Sequence, residues 1–74
     1  MEIKLGKWKH YKGGEYEVLG IAVHSETLQE MVIYKMLYDS EDFKKGTIWV
    51  RPAMMWEQEV EWEGKKVKRF EFIG

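Results

Sequence analysis

Glu15–Asp39 reads EYEVLGIAVHSETLQEMVIYKMLYD: two apolar runs, Tyr16–Val23 and Met31–Tyr38, around the polar tetrad His24-Ser25-Glu26-Thr27. How the second run is read decides the fold. Leu28, Gln29, Glu30 and Met31 have helical propensity, and Ser25 or Thr27 ahead of acidic residues imitates a capping box. Val32, Ile33, Tyr34 and Tyr38 favour strand. Apolar residues occupy both parities, Val32, Tyr34, Met36 and Tyr38 on one and Met31, Ile33 and Leu37 on the other. That pattern suits a central strand curling through a barrel better than an amphipathic helix. Leu28–Asp39 is therefore expected as a strand beside Glu15–His24, with the tetrad as the bend between them. Gly20 inside the first run marks a bulge or sharp bend.

Outward from this pair, Trp8–Lys12 alternates large and polar residues and reads as a strand ended by Gly13-Gly14. Asp39–Gly46 is polar and ends in glycine, a loop. Thr47–Arg51 is a short strand stopped by Pro52, and Ala53–Trp56 is long enough for one 3₁₀ turn. Val60 and Trp62 alternate with Glu59, Glu61 and Glu63, the mark of a half-exposed strand. Glu63-Gly64 fits a two-residue hairpin turn. That turn fixes a register: Trp62 opposite Lys65, Glu61 opposite Lys66, Val60 opposite Val67 and Glu59 opposite Lys68. Continued along Lys65–Ile73, the register would put Phe70 and Phe72 on the charged face, so a bulge or strong coiling must intervene before Phe70. The expectation is an all-β, small SH3-like antiparallel barrel of about five strands with one short 3₁₀ turn, forming a single domain over residues 1–74.

The 74 residues suffice for one small domain, which buries only about 60–65% of its unfolded surface. Four tryptophans, four tyrosines and three phenylalanines compensate, each removing on the order of 150–250 Å² from water when buried. The absence of cysteine excludes disulfides, thiolate metal sites and a cysteine nucleophile. Met1-Glu2-Ile3-Lys4-Leu5 lacks a basic-then-apolar leader pattern, and no apolar run approaches the roughly 18 residues of a membrane helix. A cytoplasmic protein is expected. The net charge of −1 gives no bulk attraction to nucleic acid. Two lysine-bearing stretches stand out, Lys4, Lys7, Lys9 and Lys12 with His10, and Lys65, Lys66 and Lys68 with Arg69. On one face they would form a phosphate-binding stripe; otherwise they guard strand edges.

The order of motifs resembles a small bacterial and phage family known as domain of unknown function 1653. The resembling segments are Gly6–Gly13, Tyr16–Ala22, His24–Thr27, Tyr34, Leu37-Tyr38, Trp49-Val50-Arg51-Pro52, Met55 and Arg69-Phe70. Its most specific parts are His-Tyr-Lys-Gly, His-Ser-Glu-Thr and Val-Arg-Pro. Trp56 stands where the family more often has phenylalanine, and Phe43 lies in a loop longer than usual. The resemblance implies an SH3-type β-roll and no established activity, so it transfers no catalytic residue.

His24, Ser25 and Glu26 are the residue types of a hydrolase triad, but neighbours on one strand point to opposite faces. The competing reading has Ser25 or Thr27 bonding backbone in the turn, with His24 capping it. His10, His24 and Glu26 lack any standard metal-ligand spacing, and neither a metal nor a cofactor is expected. Arg51 shares a face with Trp49 and can stack on it, hold a carboxylate or phosphate, or pair internally with Glu26 or Glu17. The leading expectation is a non-enzymatic binding or accessory module. Its candidate site is His10, His24, Ser25, Glu26 and Thr27, with Tyr38, Trp49 and Arg51 nearby, taking a small anion, a nucleotide-like group or a peptide carboxylate. The alternatives are a nucleic-acid accessory protein using the lysine runs, and a small enzyme using His24 and Glu26 as acid and base. A monomer and a homodimer are both open.

Overall fold

The computed structural model describes residues 3–74; Met1 and Glu2, the start of the stretch read above for a leader pattern, lie outside the described residues. Seven strands and one helical turn follow in chain order. They are β1 (Gly6–His10), β2 (Glu15–Val23), β3 (Glu30–Met36), β4 (Ile48–Pro52), α1 (Ala53–Trp56), β5 (Glu59–Trp62), β6 (Lys65–Lys68) and β7 (Phe70–Phe72). An antiparallel five-stranded sheet has the order β4-β3-β2-β1-β7, and β5 and β6 form a separate two-stranded ribbon. The all-β class holds, and 30–36 is a strand rather than a helix.

Three features differ from the expectation, the smallest being that Pro52 lies within β4, opposite Met31, instead of stopping the strand before it. The sheets are not closed into a barrel: there are seven strands rather than about five, and the ribbon pairs only with itself. Ala53–Trp56 is one turn of α-helix rather than 3₁₀, held by burial of Ala53 and Trp56 and not by a side-chain cap.

Both difficulties seen in the sequence have local solutions. In β2 the register shifts between Val18 and Gly20, so Val18 faces Tyr34 while Gly20 faces Ile33 and Ile21 faces Val32. The extra residue is Leu19, beside the glycine that signalled the bulge. In the C-terminal hairpin, Glu63 and Gly64 both take positive φ (51° and 80°), the requirement of a type I′ turn. The register is the expected one, from Trp62↔Lys65 to Glu59↔Lys68. The Glu59–Lys68 and Glu61–Lys66 side chains nevertheless do not close to ion-pair distance; the ion pairs among the described residues are Lys7–Glu15 and Lys35–Glu17. The expected interruption before Phe70 falls at Arg69. There the chain leaves the ribbon and joins β1, with His10 opposite Phe70 and Trp8 opposite Phe72. The break releases Phe70 from the charged face and buries it to 2% exposure.

The core lies on one face of the large sheet. Val18, Val32, Tyr34 and Phe70 from the strands meet Ile3, Ala53 and Trp56, and Trp8, Tyr16 and Trp49 pack around them. Trp56 is fully buried and lies flat on Phe70, with ring centroids 3.7 Å apart and planes 4° from parallel. Its indole N–H has no partner among the described residues. An unpaired buried donor costs about 1–3 kcal/mol, whereas burying roughly 200 Å² of aromatic surface returns on the order of 5 kcal/mol, so burial wins.

Candidate functional site

The connections at the two ends of β2 carry the two histidines. Nine residues separate the ends, roughly 30 Å of extended chain. The structure therefore divides the eight candidate residues instead of gathering them.

At the β2–β3 end, His24-Ser25-Glu26-Thr27 builds a turn. The His24 carbonyl accepts from the Leu28 N–H, and the His24 N–H donates to the Gln29 carbonyl, both at 2.8 Å. His24 Nδ1 accepts the Glu26 and Thr27 N–H groups at 3.2 and 3.3 Å, and Thr27 Oγ1 accepts from the Gln29 N–H. These are the capping contacts that compete with a catalytic role. All four tetrad side chains are exposed, and no ion pair joins His24 to Glu26. Leu28 closes the turn in the left-handed region at φ 62°.

At the β1–β2 end the surroundings are different. His10 donates its backbone N–H to the Gly14 carbonyl and accepts the Gly13 N–H on its own carbonyl, closing a tight connection. Its ring meets the edge of Phe70 at 5.0 Å and tilts over Tyr11 at 4.5 Å. Its Nδ1 accepts the Lys12 N–H at 3.1 Å, which leaves Nε2 as the donor of the neutral ring. Burial lowers the His10 pKa from its usual value near 6.5, and the positive charges of Arg51, Arg69 and Lys12 lower it further.

Arg51 reaches this same region across the core face. Its Nε lies 3.4 Å from the Tyr34 hydroxyl, a long bond, and its guanidinium sits 5.6 Å from the Phe70 ring centroid. The expected stacking partner, Trp49, is engaged elsewhere, edge-on to Phe43 at 4.6 Å. That contact gives the long loop its packing, and Ser40 and Asp39 bond the loop backbone at Phe43 and Lys45. Neither expected carboxylate closes on Arg51. Glu17 pairs with Lys35 at 3.3 Å, and Glu26 belongs to the distant turn. Among the described residues Arg51 has no carboxylate within 4.0 Å.

Tyr38 extends the region. Its hydroxyl is 2.7 Å from that of Tyr16. The Tyr16 phenol is pushed far above its ordinary range, first by burial and then by the Tyr38 hydrogen bond and the neighbouring phenols. It stays protonated at neutral pH and serves as a hydrogen-bonding hydroxyl rather than a base. Gly14 makes room for this pair: a Cβ there would stand 2.8 Å from the Tyr38 hydroxyl.

His10, Arg51 and Tyr38 thus come together with Tyr34, Tyr16, Phe70 and Arg69, which the sequence reading did not include. Tyr34 was legible, since it shares the face of Trp49 one pair from Arg51. Phe70 and Arg69 carried a signal only in the register conflict at the end of the hairpin. The arrangement offers fixed cations, a neutral imidazole donor and phenolic hydroxyls, with no nucleophile aimed among them. No cluster of three metal-ligating side chains occurs among the described residues, and no helix there is long and apolar enough to cross a membrane.

A crystal structure of a Bordetella bronchiseptica protein of the DUF1653 family superposes with a TM-score of 0.87 at 29% identity, covering 99% of this chain and 90% of that one. No curated protein matches the chain. The model of the family described as "Protein of unknown function (DUF1653)" matches residues 6–72, and the chain belongs to that family.

Proposed function

We propose that this chain is an SH3-like, non-enzymatic binding module that takes a small anionic group, a carboxylate or a phosphate, beside Arg51 and His10. One observation carries the reading: the Arg51 guanidinium lies on Phe70 without a carboxylate partner among the described residues. A half-buried cation spared internal neutralisation is an available counter-charge for a ligand. The lowered His10 pKa, caused first by burial, agrees with this reading in its second cause, the positive charge of Arg51, Arg69 and Lys12. A bound anion offsets this field and favours the imidazolium, so affinity rises as pH falls through the histidine range.

The test is a heteronuclear NMR titration with inorganic phosphate and, separately, acetate. Saturable shifts at His10 and at Arg51 Nε, lost in Arg51→Ala and strengthened at lower pH, are expected. A wild-type protein that shows no saturable shift with either anion overturns the reading. Retained shifts in a folded Arg51→Ala variant also overturn it.

A further inference from the structure

We propose that the groove between β7 and the β5–β6 ribbon holds one nucleotide of a single-stranded nucleic acid, its base stacked at Tyr11 and Trp62 and its phosphates met by Lys9 and Lys68. The groove encloses about 310 Å³ and is lined by these four residues together with His10 and Glu71, among others. Its size is at the lower end of small-ligand clefts, roughly 300–1,000 Å³, enough for a single base and its sugar and too small for a folded partner. Its walls come from the two lysine-bearing stretches, which lie at opposite ends of the chain and meet here.

The aromatic wall is preformed. Tyr11 donates its backbone N–H to the Arg69 carbonyl at 2.9 Å, which ties this wall to the break between β6 and β7. Tyr11 and Trp62 stand edge to face, 5.2 Å apart at 71°. Trp62 remains 41% exposed. Large exposed aromatic faces next to lysines are the elements with which proteins stack and hold single strands. A duplex, whose bases already stack on each other, offers no free base face to this wall.

Charge favours the same occupant. Lys9 and Lys68 make no ion pair among the described residues, although Glu59 faces Lys68 in the register. Glu59 and Glu61 alternate with Val60 and Trp62, and Glu59 shares its face of the ribbon with Lys68, so Glu59 competes with a phosphate for that lysine. Glu71, the carboxylate in the lining, stands opposite Lys9 in the β1–β7 register and opposes binding. This site uses neither Arg51 nor Tyr34.

Fluorescence anisotropy of a labelled oligothymidylate of about ten nucleotides, at low salt and then through a salt series, tests the assignment. Trp62→Ala is expected to weaken binding at least about fivefold. Lys9→Ala and Lys68→Ala are each expected to reduce the salt slope by about 0.7. Glu71→Gln should tighten binding, while Lys44→Ala, outside the lining of the groove, should leave it unchanged. Absence of binding at low salt overturns the proposal, as does a folded Trp62→Ala variant that binds like wild type, a salt-independent affinity, or equal affinity for a duplex of the same length.

Discussion

The two ends of β2 hold the same residue type in opposite situations. His24 is exposed and spends its Nδ1 lone pair on two backbone N–H groups of its own turn. His10 also accepts a backbone N–H, but its ring lies on Phe70 within the field of Arg51, Arg69 and Lys12. A histidine in a β-turn is therefore a capping device or part of a charged surface according to what the next element brings against it. At one end the neighbour is water, and at the other it is the strand that returns from the hairpin.

The most severe way to break the contrast is to remove that returning ring. Phe70→Ala takes away the partner of Trp56, His10 and Arg51 together, and should cost about 3–5 kcal/mol in urea denaturation. A loss below 1 kcal/mol would mean that the stacked pair is not the centre of the core. Next in size is Gly14→Ala, whose Cβ displaces the Tyr38 hydroxyl from Tyr16; about 1–3 kcal/mol should be lost. The same change made in a Tyr38→Ala background should cost less, and a double-mutant cycle reads the difference.

At the His24 end the sign reverses. Leu28 is exposed yet held at positive φ, so Leu28→Gly relieves strain without sacrificing packing. A gain of roughly 0.5–1 kcal/mol is expected, and a loss would show that Leu28 makes contacts of its own in solution. The smallest effect is the pH response of His10. Because its folded pKa is lowered, the unfolded chain takes up the proton first, and stability falls as pH drops below about 6.5 toward the folded value. His10→Gln should flatten that part of a stability-against-pH curve, and an unchanged slope would assign it to other groups.

Much of the fold was legible because neighbouring residues encode it. Glu63-Gly64 with alternating glutamates and lysines fixed the hairpin register, and Gly20 flagged the bulge. The closure of the sheets was not legible, because it depends on where the last ribbon breaks, and Arg69 differs little in propensity from its neighbours. For the site, the expected cluster placed residues from both ends of β2 together. A nine-residue strand between His10 and His24 already forbids that, through rise per residue alone. Arg51 was visible as a cation before a proline, but its resting place on Phe70 was not, since that contact joins residues brought together only by the long-range pairing of β1 and β7.

That pairing has a consequence for how the molecule is made. Phe70 sits opposite His10, sixty positions earlier in the chain. Synthesis from the amino end exposes β1 through β4 well before the phenylalanine has left the ribosome, and for that interval Trp56 lacks the ring that covers it. A nascent chain halted before residue 70 would display an incomplete aromatic core, a state that invites capture by chaperones or proteases. Topology of this kind makes the codons around Phe70 decide whether the strands translated before them complete their core.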